Sequence, residues 1–124
     1  MRQLEWRGDS VGSGLTRFMS AFAGVALAAV GNASRIRMEK SGHLGNFEVE
    51  TTGVGPVGAE TYTFEVFKNG GATGRILILT AAEILKTLGT KLVVAKGDDI
   101  DFRLVTSAGA GVTGDIACRC QHYD

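Results

Sequence analysis

The chain has 124 residues, with 13 basic and 13 acidic side chains and so no formal net charge at pH 7. That length supports one domain around one core, and the balanced charge supplies no field to hold a phosphate backbone, which argues against nucleic acid as a partner. Eighteen glycines and a single proline suit many tight turns rather than a Pro-rich linker.

Residues 1–14, MRQLEWRGDSVGSG, carry no sustained period and end in glycine and serine. They read as a flexible N-terminal arm, with the domain occupying residues 15–124. Arg7-Gly8-Asp9-Ser10 matches the integrin-binding tetrapeptide, but four residues are a cheap match, and the segment reads as a solvated arm or an anchoring contact. Residues 15–23 alternate well enough for a first strand. Residues 21–30, AFAGVALAAV, form the most apolar tract, about half the ~20 residues that cross a bilayer as a helix. The polar residues before it make a poor signal sequence, so no membrane is expected. Residues 23–30 suit either a short helical turn or a continued strand.

Residues 34–39 place Ile36 and Met38 opposite Arg35, Arg37 and Glu39, and residues 40–42 turn the chain. Residues 44–51 set Phe47, Val49 and Thr51 on one side and Glu48 and Glu50 on the other; the glycine-rich stretch 52–60 is a loop. Residues 62–68 give the clearest strand, and Asn69-Gly70 fits a tight hairpin turn into residues 75–80. In residues 80–88, TAAEILKTL, the period changes: Ala81, Ile84, Leu85 and Leu88 recur at helical spacing before Gly89, which predicts one short helix in a connection. Residues 91–95, 100–107 and 113–121 complete eight strands, so the expected fold is all-β, an eight-stranded antiparallel jelly-roll sandwich with one short helix.

No chemistry-bearing constellation stands out. Asp98, Asp99 and Asp101 crowd one hairpin, where calcium would want several hard oxygens, but the turn accounts for the first and strand alternation for the last. His43 and His122 have no nucleophile placed beside them. Glu48, Glu50 and Glu65 are the carboxylates a glycosidase reading would need. Cys118 and Cys120 lie two apart on one strand face and read as buried free thiols. Trp6, Tyr62 and Tyr123 are the only indole and phenol groups, too few for a convincing sugar-stacking platform. No catalytic, cofactor or metal residue is assigned, and an enzyme is not expected.

Several strands are apolar on both faces, and a second apolar face needs a second cover. Phe67, Leu77, Leu79 and Val93 are therefore expected at a subunit interface, with Phe64, Ile78, Phe102 and Leu104 in the core.

Four phrases in order, SGHLGNFEVETT, GAETYTFEVFKNGGATG, VVAKGDDIDFRLV and a last alternating strand, resemble the "AGTLxNLxV", "TYTFTVRKNG" and "VxVAAGDxVSLKV" phrases of the small jelly-roll modules of bacteriophage virions. The resemblance spans roughly residues 16–121. It implies a virion location and a capsid decoration protein that assembles as a homotrimer, as tumour-necrosis-factor and complement C1q heads do, with major capsid or other virion proteins as partners. The alternative it implies is a trimeric fibre-head or tail-tip module that recognises a host-surface glycan or protein. The helix-like TAAEILKTLG and the charged Asp98-Asp99 depart from the pattern.

Overall fold

The structure, a computed structural model, describes residues 2–12, 14–20, 35–52, 55–56, 59–107 and 112–124, with no side chains described for residues 9–11 and 112–114. The expected strand or turn over residues 23–30 lies outside the described residues, as does the glycine-rich stretch 108–111.

Ten strands are present: β1 (Arg2–Val11), β2 (Thr16–Phe18), β3 (Ile36–Arg37), β4 (Gly42–Thr51), β5 (Thr61–Lys68), β6 (Gly71–Thr80), β7 (Leu85–Leu88), β8 (Leu92–Val94), β9 (Asp99–Thr106) and β10 (Val112–Tyr123). They form two antiparallel five-stranded sheets. In the first, β10 lies between β1 and β4, and the short β7 and β8 follow one another along the far side of β4. In the second, β9 lies between β5 and the two short strands β2 and β3, and β6 closes the far side of β5. Each sheet is thus four strands wide at any level.

Alternation decides what lies between them. Trp6 of β1 and Phe47 of β4 meet Phe102 of β9 across the layer, with ring centroids 5.0 and 6.3 Å apart, and Phe64, Leu104, Ile116 and Cys118 fill in around them without exposure. Burial pushes the Cys120 thiol up to about 12 and raises Cys118 as well. Both remain free thiols inside the core, where a deprotonated sulfur would be poorly solvated.

Three expectations are corrected. First, the fold is not an eight-stranded jelly roll with a short helix: it has two five-stranded sheets, and no helix occurs among the described residues. Second, the helix expected over residues 80–88 is a turn followed by β7. Ala81 and Ala82 take φ of 48° and 67°, a left-handed conformation that cannot continue a right-handed helix, and residues 85–88 instead pair with β4 from Phe47↔Leu88 to Glu50↔Leu85. The Glu83 carboxylate fixes the turn, accepting from the Thr80 amide at 2.9 Å, the Thr80 hydroxyl at 2.8 Å and Lys86 at 3.0 Å. Third, most of the expected arm is β1, paired with β10 from Arg2↔His122 to Val11↔Val112. Leu4 and Trp6 are buried while Glu5 and Arg7 point outward and bond each other. Arg7-Gly8-Asp9 is therefore paired strand, not an accessible loop.

Candidate functional site

The two lateral edges of the sandwich are built differently. At one, the chain after β2 steps across between the sheets: Met19 donates to the Phe102 carbonyl at 2.8 Å, while Ser20 exchanges backbone hydrogen bonds of 2.6 and 2.9 Å with Arg7 of β1. Backbone pairing closes that edge. At the other, β6 ends the second sheet and β7 and β8 end the first. A side chain spans this edge, where the Arg75 guanidinium of β6 donates to the Lys91 carbonyl at 3.1 and 2.5 Å, and Lys68 reaches the Val93 carbonyl at 3.3 Å.

All five large hydrophobic side chains that are exposed among the described residues belong to this second edge. They are Ile76 and Ile78 on β6, Ile84 in the turn, Leu85 on β7 and Val93 on β8. Ile76 and Ile78 alternate with the buried Leu77 and Leu79 and so stand on the outer side of the second sheet. Val93, paired with His43, stands on the outer side of the first.

The four interface candidates divide accordingly. Val93 is 73% exposed and free to meet another molecule. Leu77 and Leu79 are 2% and 0% exposed and belong to the core, which exchanges their role with Ile78, expected inside and found 39% exposed. β6 carries isoleucine or leucine at each position from 76 to 79, so composition cannot tell its inner from its outer face; the pairing to β5 does. Phe67 is covered by its own chain, with the Phe18 ring edge-on at 5.3 Å and the Arg103 guanidinium 4.7 Å above it.

The polar candidates are drawn into separate arrangements. Glu48 and Glu50 join Glu5 around Arg119, at 2.6, 3.2 and 2.8 Å, in the middle of the first sheet's outer face. Burial works to raise Glu5, but hydrogen bonds from Arg119 and Arg7 win and hold it low. Glu65 lies on the other sheet, bonded to Arg103 at 3.1 Å, so the three candidate carboxylates are not brought together. Asp98 accepts from the Ala95 amide and Asn69, and Asp99 takes both arms of Arg37 at 2.9 and 3.2 Å. Asp101 is buried beside Arg35 at 3.9 Å. Among the described residues no three carboxylate, histidine or cysteine groups gather as metal ligands.

A further arrangement was not legible beforehand. His43 and Tyr123 sit directly opposite on β4 and β10, with their rings stacked at 4.9 Å and 15°. They line a hollow of about 260 Å³ together with Gly45, Asn46, Gly89 and Lys91. A bulge shapes it: between Arg119↔Glu48 and Gln121↔Gly45, β4 spends three steps against two of β10, and Asn46 takes φ 49°. The extra residue sends Phe47 into the core and leaves Asn46 outside, where its amide donates to Gln121 at 2.8 Å and to the Tyr123 hydroxyl at 2.5 Å. Tyr123 and His43 are 80 positions apart, and only strand pairing joins them.

No protein-family model matches the chain, and no curated protein matches it.

Proposed function

We propose that the chain is a structural module of a bacteriophage virion, a capsid decoration protein that works as a homotrimer. The ordered phrases described above support the virion setting. The observation that carries the assembly is the edge formed by β6, β7 and β8, where every exposed large hydrophobic among the described residues is found. Edge strands whose outer side pairs with no described strand, and which are flanked by apolar side chains, invite a partner. The opposite edge is closed by backbone bonds, so the two edges are not alike, and contact between unlike surfaces closes into a ring when the rotation allows. Three members is the number that the resemblance supplies.

Quantitative mass spectrometry of purified virions tests the reading. Hundreds of copies per particle are expected on a decorated head. A few copies at the tail would replace decoration with the fibre-head or tail-tip role, and absence from the particle would overturn the virion setting altogether.

A further inference from the structure

We propose that the hollow beside His43 and Tyr123 binds a saccharide bearing a carboxylate. The inference depends on the hollow and not on where in a virion the chain sits. Its volume, about 260 Å³, falls below the roughly 300–1,000 Å³ of pockets for drug-sized ligands, and suits one pyranose ring with its substituents. A sugar ring has a C–H face that packs on aromatic rings and a rim of hydroxyls that need both donors and acceptors. The hollow supplies both. The His43 and Tyr123 rings are already stacked on each other, so little side-chain freedom is lost when a ligand packs against them. Asn46, Gln121 and the Tyr123 hydroxyl form a connected amide and phenol network beside them.

Three details favour a ligand over mere surface relief. The bulge holds Asn46 in a left-handed conformation, which asparagine adopts more readily than most residues, and so keeps its amide on the outer face beside the two rings. Gly45 keeps the hollow clear: a Cβ there would touch Tyr123 Cε2 at 3.6 Å and Lys91 Cγ at 4.0 Å. Among the described residues, Lys91 is the charged lining residue and no carboxylate lines the hollow with it. Its ammonium, a point charge on a flexible stem, is the match for one carboxylate on the sugar.

Proton saturation-transfer NMR on the intact chain, with glucuronate, N-acetylneuraminate, glucose and glucose 6-phosphate as probes at equal concentration, tests this. Transfer to the ring protons of at least one acidic sugar is expected, with affinity about ten-fold above that for glucose, the worth of one modest charge contact. Lys91→Gln should bring that sugar down to the level of glucose, and Tyr123→Ala should abolish transfer. Gly45→Leu grows a side chain from a Cβ that would lie 3.6 Å from Tyr123 Cε2 and 4.0 Å from Lys91 Cγ, in ordinary contact, so it should abolish transfer while leaving the amide spectrum of the sandwich intact. No transfer to either acidic sugar, or transfer that survives Gly45→Leu, overturns the proposal. Stronger transfer to glucose 6-phosphate than to both acidic sugars overturns the carboxylate.

Discussion

Asp101 shows what an adjacent pair of arginines can and cannot do for a buried acid. β3 is only two residues long, and Arg37–Asp99 and Arg35–Asp101 help hold it in register on β9. Asp99 is partly solvated, and Arg37 holds it low. Asp101 is nearly unexposed, its Oδ2 lacks a hydrogen bond among the described residues, and burial outweighs Arg35 to raise it to about 7. The native carboxyl then keeps its proton to about pH 7, whereas the unfolded one loses it near 4. Between those values the native state binds more protons, so stability falls as pH rises and levels off above 7. The lowered carboxylates Glu5, Asp98 and Asp99 act in the opposite sense and at lower pH, where stability is lost as they protonate. Denaturant titrations at pH 5 and pH 8 should show the wild type losing on the order of 2–4 kcal/mol across the Asp101 window, and Asp101→Asn should flatten that slope. An unchanged slope in the variant would mean that another group carries the dependence. The sequence shows three crowded aspartates; it does not show that β3 would bring one arginine to each of two of them.

At the scale of elements, period two was legible in several of the long strands. Residues 44–51, 62–68 and 100–107 were expected as strands and lie within or overlap β4, β5 and β9, because each alternates apolar and polar positions along its length. β1 was missed because only Leu4 and Trp6 mark its inner face. Residues 80–88 were misread because Ala81, Ile84, Leu85 and Leu88 imitate a helical stripe, yet Ile84 and Leu85 are about half exposed. Pairing with β4 overrides a propensity worth only tenths of a kcal/mol per residue. The turn that permits it holds two alanines at positive φ, a position that costs an L-residue roughly 1–2 kcal/mol and glycine far less. Ala82→Gly should therefore raise stability by up to about 1 kcal/mol, after the extra freedom of glycine in the unfolded chain is subtracted. Thermal melts would show a higher midpoint; a lower one would mean that the Ala82 methyl group contributes packing that outweighs the strain.

For the whole molecule, the sequence led to the expectation of a second cover for the apolar strands, with Leu77 and Leu79 facing it, whereas the structure places both in the core. Adjacent isoleucines and leucines give two equivalent faces until a neighbouring strand selects one. The structure turns Leu77 and Leu79 inward and Ile76 and Ile78 outward, and this separates folding from assembly in a way that mutation can read. Leu77→Asp places a carboxylate in the core without a partner and should cost several kcal/mol, enough to unfold a small domain. Ile78→Lys and Val93→Lys change exposed positions, where substitution usually moves stability by about 0.5 kcal/mol or less, and lysine is a residue that natural edge strands use to refuse partners. If the β6–β7–β8 edge joins copies of the chain, light scattering should report three chains for the wild type. The double lysine variant should fall to one chain while its circular dichroism stays that of a folded sheet protein. A wild type of one chain at micromolar concentration would defeat the assembly reading. A double variant that still weighs three chains would keep the assembly but move its seam away from this edge, toward the charged outer face around Arg119 or the closed edge at Ser20.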